Sequence, residues 1–289
     1  MRSSLLTSVI IPLLACACVE YADQPNKSLD YKQLDVAFSA TVPKGYALPE
    51  GSLFGVRGLC TRSGAENTDM AGVGIARFAF EQSSNLYLFK SDDANAMIAK
   101  KGDHNYKFYA FYPYDPGVTD LSAMPVNIPA VVNWSATNPP DLTMLIAASA
   151  TVSSVIAPVP LKFEAVAQCT MTIKIPNTIV PVIKSIRVAP VNEAVFRGQL
   201  AWSGTYDLYK GKATKNSSSY SKSVTLNFGA GYTLPEGTSE FSFVMGAFSY
   251  PSGGLQVVIT KGDGTTITKK MFEASKVFAE GSTNVYTLS

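Results

Sequence analysis

Histidine is nearly absent: the 289-residue chain has one, His104. A single imidazole excludes multi-histidine metal sites. Any Ser-His-Asp triad would have to use His104, which sits between Asp103 and Asn105, and no Gly-x-Ser-x-Gly elbow offers it a nucleophile. Charge is scarce as well. Charged residues make up 16% of the chain and the net charge is +2, with no basic run longer than pairs such as Lys100-Lys101 and Lys269-Lys270. Nucleic acid is therefore not an expected partner. Of four cysteines, only Cys60 and Cys169 lie beyond the N-terminal segment, so no Cys-x-x-Cys zinc or redox motif remains there. The one long uncharged apolar run, Leu5 to Ala17, is too short to span a bilayer. Gly72-x-Gly74 lacks the third glycine and the helix of a dinucleotide loop. Asp92-Asp93 has no repeated oxygen-ligand pattern and reads as surface charge. Ser219 and Lys222 match Ser-x-x-Lys only within a serine-rich stretch, and the scattered acids define no glycosidase pair. No catalytic constellation emerges, and neither enzymatic activity nor a metal or cofactor is expected.

What is present is β-forming. The apolar share is 46%, enough for a substantial core in a chain too weakly charged to be disordered. Tyr, Phe, Thr, Ser and Val are abundant, and Gly and Pro recur at short intervals, as in all-β proteins of many short strands. The densest signal is Tyr106 to Gly117, YKFYAFYPYDPG. Tyr106, Phe108, Ala110, Tyr112 and Tyr114 fall on one face of an extended chain, and Lys107, Tyr109, Phe111 and Pro113 on the other. The Pro-Tyr-Asp-Pro-Gly end is a turn signal. On residue physics alone this is a core strand of a β-sandwich.

The N-terminus has the layout of an export signal: Arg2, an apolar run, then Leu14-Ala15-Cys16-Ala17-Cys18. A cysteine after small residues at the end of such a run resembles the bacterial lipobox, where the sulfur takes a diacylglycerol. Cys18, preceded by small or apolar residues throughout, fits better than Cys16, which has Pro12 upstream. An ordinary signal peptide without lipid is the alternative. Export makes a Cys60–Cys169 disulfide chemically permissible, but two small packing residues are an equal reading.

Leu34, Val36, Phe38, Ala40 and Val42 alternate with Asp35, Ala37, Ser39 and Thr41, which predicts a strand with one wet face. Lys44 to Asp69 reads as an irregular loop exposing Arg57 and Arg62, with Ser52 to Val56 as a possible short strand inside it. Strands are expected at Val73 to Phe80 and Leu86 to Lys90, and a helical turn at Ser91 to Lys100. Val131 to Asp141 and the Lys/Ser/Asn-rich Lys210 to Ser223 read as loops. The Ser-Ser and Ala-Pro-Val-Pro composition between Ser153 and Pro160 suggests a link, after which strand patterning restarts. Asp263-Gly264 marks a tight hairpin. Leu-Pro-Glu-Gly occurs at Leu48–Gly51 and at Leu234–Gly237, either an echo of duplication or two unrelated turns. The expected division is a signal peptide over 1–18, a tether over 19–30, and β-sandwiches with Greek-key connections over 31–156 and 157–289.

In order along the chain, these features resemble the fimbrillin family of Bacteroides-type surface pili. The matches are the lipobox, the alternating first strand, Thr61-Arg62 in the segment after it, and Phe-Tyr-Pro-Tyr at Phe111–Tyr114. They continue with the Asp-led apolar piece Asp141–Ala147, Leu-x-Phe at Leu161–Phe163, and Gly-x-x-x-x-Tyr at Gly281–Tyr286. Glu164 stands where the family usually has His in the strand opening the second half. The resemblance implies an all-β chain of two transthyretin-like Greek-key sandwiches, exported as a lipoprotein and anchored in the outer membrane at least as a precursor. It implies other fimbrial subunits as partners by strand exchange, with no cofactor and an unknown surface ligand. In polymerising members a protease cuts after a basic residue in the loop following the first strand. Carried over, that residue is Arg62, with Arg57 as the alternative. The removable strand is Leu34, Val36, Phe38, Ala40 and Val42, and the donor is Val285, Tyr286 and Leu288. The alternative function is a surface lipoprotein of the same fold that binds glycan or protein without polymerising.

Overall fold

The computed structural model describes residues 33–43, 48–83, 86–91, 96–137, 139–248, 254–272 and 276–289. All regular structure among them is strand. The first half carries β1 (Gln33–Asp35), β2 (Phe38–Thr41), β3 (Leu53–Arg62), β4 (Ala65–Asp69), β5 (Ala76–Ser83), β6 (Leu86–Ser91), β7 (Ile98–Lys100), β8 (His104–Tyr112), β9 (Met124–Ile128), β10 (Val131–Asn133) and β11 (Ile146–Val152). The second carries β12 (Val159–Lys162), β13 (Glu164–Ala165), β14 (Gln168–Pro176), β15 (Val182–Pro190), β16 (Ala201–Asp207), β17 (Lys212–Ser221), β18 (Val224–Thr233), β19 (Thr238–Gly246), β20 (Leu255–Lys261), β21 (Thr266–Phe272) and β22 (Thr283–Thr287).

Alternation of apolar residues makes the first core. A sheet in the order β12-β2-β6-β5-β3-β8-β11-β13 curls back on itself, because β13 follows β12 after the single residue Phe163. Phe38, Phe54, Phe78, Phe108 and Phe163 fill it. The Phe38 ring stands edge-on to Phe78 and Phe108, each at 5.1 Å, the arrangement aromatic quadrupoles favour. In the second unit a five-stranded sheet, β10-β18-β15-β20-β21, packs over a three-stranded one, β19-β14-β22. Ile173 and Phe243 on one side and Ile186, Leu226 and Val257 on the other interdigitate between them. The Asp263-Gly264 hairpin forms as expected between β20 and β21, with Gly264 at φ +86°. In both Leu-Pro-Glu-Gly turns the Leu is buried and the Gly has positive φ.

The aromatic strand β8 serves both units. Tyr106, Phe108 and Ala110 point into the first core. Phe111 points the other way, into a third cluster with Leu121, Met124, Val126, Trp202 and Leu208, with Tyr109 packed against it. The sequence alternation was therefore not core-against-solvent: both faces are covered.

Several expectations are corrected. Lys44 to Asp69 is not one loop, since the long strand β3 and its hairpin partner β4 occupy most of it. The described part of Ser91 to Lys100 ends in β7 and holds no helical turn. Val131 to Asp141 begins with β10, and Lys210 to Ser223 contains β17, a largely exposed strand paired with β16. Leu34 to Val42 is not one continuous strand: β1 pairs with β7, the chain changes partner at Val36-Ala37, and β2 enters the main sheet. The pairing also crosses the expected boundary at residue 157. β12 and β13 pair with β2 and β11 of the first unit. β9 and β10 pair with β16 and β18 of the second. The spans 1–18 and 19–30 lie outside the described residues.

Candidate assembly strands and the arginines of β3

The candidate removable strand keeps its one-sided pattern despite the break. Val36, Phe38 and Ala40 are buried, and Leu34 and Val42 are half-buried against the same cluster. The intervening side chains are exposed or half-buried. β2 lies inside the sheet, antiparallel to β6 and parallel to β12. Val159 N donates to Ala37 O at 2.9 Å, and Phe163 N to Thr41 O at 2.8 Å. Taking β2 out would therefore leave two facing strand edges and the space of a fully buried phenylalanine.

Arg57 and Arg62 do not sit in a loop. Arg57 is mid-strand in β3 and Arg62 is its last residue. Arg62 donates through Nε and Nη2 to the two Asp103 oxygens at 2.9 and 2.7 Å, and through Nη2 to Ile98 O at 3.2 Å. The Asp103 side chain is 1% exposed. Burial alone would raise its carboxyl, but the Arg62 hydrogen bonds and the Lys100 amide at 2.8 Å outweigh it and hold the group below the ordinary carboxylate range. Next to this pair, burial pushes the Cys60 thiol up, with Asp103 adding to it. Arg57 forks onto Asp69 at 2.8 and 3.0 Å and donates Nη1 to the Tyr209 hydroxyl at 2.6 Å. Sequence reading missed Asp69, Asp103 and Tyr209. Nothing in their local spacing announces partners 12, 41 and 152 residues away.

The candidate donor segment is docked in its own unit. β22 runs parallel to β14 at the sheet edge, and Leu288 N donates to Lys174 O at 2.9 Å. Asn284 and Leu288 are buried, and Tyr286 is half-buried with its ring 6.1 Å from Phe272. Val285 is 49% exposed. The grouping of Val285 with Tyr286 and Leu288 is thus split between two faces, as strand alternation requires. Cys169 and Cys60 are buried free thiols, Cys169 pushed up to about 12 by burial. Cys16 and Cys18 lie outside the described residues. Among the described residues no group of three or more His, Cys, Asp or Glu could hold a metal ion.

Residues 51–289 match the model of the family described as fimbrillin-like. The chain belongs to the fimbrillin-like family. No curated protein matches it. Among solved structures, this fimbrillin-like chain resembles a candidate cell adhesion protein from Bacteroides uniformis, with TM-score 0.59 and 18% identity over 88% of this chain and 91% of that one. It also resembles one from Bacteroides ovatus, with TM-score 0.56 and 15% identity over 88% and 92% of the two chains. At these identities the likeness is one of fold.

Proposed function

We propose that this fimbrillin-like chain is a structural or adhesive component of cell-surface fimbriae that joins its neighbours by strand exchange. The observation that carries the reading is β2: an internal strand, buried on one face, lying at the N-terminal end of the first unit. An extended segment from another subunit would supply the same backbone hydrogen bonds and apolar side chains. An emptied groove would be an aggregation hazard, so loss of the strand is coupled to its replacement. Export as a lipoprotein through Cys18, or Cys16, places the precursor at the outer membrane. Cleavage after Arg62, or after Arg57, requires β3 to leave its neighbours and the guanidinium to leave its carboxylate. Such a cut would also detach the β3 residues that precede it, so those residues must be retained or replaced along with β2.

The tests are direct. Replacing Cys16 and Cys18 together by Ser should abolish fatty-acid labelling and membrane fractionation. Surface preparations should show heat-labile, SDS-resistant ladders that vanish when Tyr286 to Ser289 are deleted. Ladders absent from the parent strain, or unchanged by the deletion, count against strand exchange.

A second reading, a non-polymerising lipoprotein that binds glycan or protein, is favoured by a cleft of about 510 Å³ between the units. Tyr206, Tyr209, Glu164, Glu280 and Lys162 line it over a floor of alanines. N-terminal sequencing of surface material separates the readings: a start at the lipidated cysteine favours this one, and a start after an arginine favours the first.

A further inference from the structure

Two contacts join the outer face of the first unit to the turn between β16 and β17, and a third joins that turn to the β8–β9 connection. On that face Arg57 and Tyr109 are register partners across β3 and β8, and Gly55 and Phe111 are the next such pair. The residues between them, Val56 and Ala110, point into the first core, so this row points away from it. Arg57 uses Nε and Nη2 on Asp69, which leaves Nη1 to reach the Tyr209 hydroxyl at 2.6 Å. The Tyr209 ring stands edge-on to Tyr109, 4.7 Å away at 81°. Beside it Leu208 is buried in the cluster between the units, and its amide donates to Leu121 O at 2.8 Å. Tyr209 lies in the turn between β16 and β17, a hairpin tied to the second unit where Gly246 N of β19 donates to Leu200 O at 2.8 Å.

We propose that Arg57 is an inter-unit clasp, aimed by Asp69 and caught by Tyr209, that fixes the angle at which the second unit is carried on the first. Apolar contact between Phe111, Leu121, Met124, Trp202 and Leu208 holds the units together, but burial is non-directional and tolerates sliding. A guanidinium held on two oxygens is fixed in plane, and its remaining N–H then points one way. Asp69 comes from β4, the hairpin partner of β3, so the aim is set wholly within the first unit. The pair is about one-third exposed, and exposed pairs contribute little to stability. The clasp therefore acts on orientation more than on melting, and it acts whether or not subunits exchange strands.

The experiment measures the distance distribution between spin labels at Glu66→Cys and Asp263→Cys, exposed positions in β4 and in the β20–β21 turn. Among the described residues the native thiols, Cys60 and Cys169, are buried. Inter-unit motion is the default where an interface does not forbid it, so Arg57→Ala and Tyr209→Ala should each broaden the distribution about twofold with little change in melting temperature. Tyr209→Phe keeps the ring on Tyr109 and removes only the acceptor, and should give an intermediate width. Arg62→Ala, whose ion pair with Asp103 lies within the first unit, should lower the melting temperature and leave the width alone. Unchanged widths in Arg57→Ala and both Tyr209 variants overturn the clasp. So does equal broadening in Arg62→Ala, which would mark general loosening.

Discussion

The Phe111 ring occupies the space that a side chain on Gly55 would need. A Cβ on Gly55 would overlap ring carbons Cε1 and Cζ of Phe111, its register partner on β8. Glycine at this position lets the Phe111 ring of the third cluster lie against β3. Gly55→Ala should force the ring outward and cost about 1–3 kcal/mol, the usual penalty of overpacking. Urea melts check the cost. A melt unchanged within error would mean that Phe111 has room the present packing does not suggest.

Asp103 should give the protein an acid-sensitive limb. Its carboxyl is held below the ordinary range in the folded state, so its contribution is present above the unfolded value near pH 4 and is lost as pH falls through the folded value. Asp103→Asn keeps the shape and removes the charge that Arg62 and the Lys100 amide face. It should cost about 2 kcal/mol at pH 7, with the difference from the parent shrinking toward pH 2. A constant offset across that range would mean that the carboxylate charge contributes nothing.

The sequence made the β class legible because period-two alternation is a local property. Leu34 to Val42 and Tyr106 to Tyr112 carry their patterns within single stretches, and so does the Asp263-Gly264 hairpin. What it hid was non-local. Phe111 and Tyr109 fall on the second face of the strand, and nothing local says that Trp202 and Leu208 from far along the chain cover it. Arg57 and Arg62 look like loop cations because the glycines at 51, 55, 58 and 64 suggest a loop. Gly55 and Gly58 are in-strand glycines, where a Cβ would collide with Phe111 or with Met97 and Phe108. Asp69 on β4 and Asp103 in the turn before β8, which pair the arginines, lie elsewhere along the chain. Strand pairing crosses the expected boundary for a related reason. The Ala-Pro-Val-Pro stretch marks a local change of direction, whereas sheet membership depends on partners far along the chain.

Trp134 should be essential to the second unit although it comes from the first half of the chain. β10 lies parallel to β18, and the next residue, Trp134, sets its ring 5.0 Å from Phe228, 4.7 Å from Tyr232 and 5.3 Å from Phe241. The indole is half-buried, so Trp134→Ala should cost about 2–3 kcal/mol, below the range for a fully buried ring. Hydrogen exchange should show the loss in β18 and β15, with β2, β3 and β8 unaffected. Loss confined to the first unit would contradict the packing.

Val285 and Leu288 should separate folding from assembly. Both were expected on the donor segment, but in the folded subunit they point opposite ways: Leu288 is 1% exposed and Val285 is 49% exposed. A strand entering a groove presents one face to the core, so only one of these residues can lead. The inner face already carries Tyr286 and Leu288, the two large apolar side chains, and Val285 stands on the outer face between Thr283 and Thr287. If the segment exchanges by its inner face, Leu288→Ala lowers the stability of the free subunit by about 2–3 kcal/mol and also thins the SDS-resistant ladders, since the same methyls are buried in both states. Val285→Asp then leaves urea melts within about 0.5 kcal/mol of the parent, as expected for an exposed substitution, and leaves the ladders intact. Melts on purified subunit and ladders on surface preparations measure the two effects independently. Ladders lost in Val285→Asp with the melt unchanged would put the outer face in the acceptor. Ladders unaffected by both substitutions would remove this segment from assembly altogether.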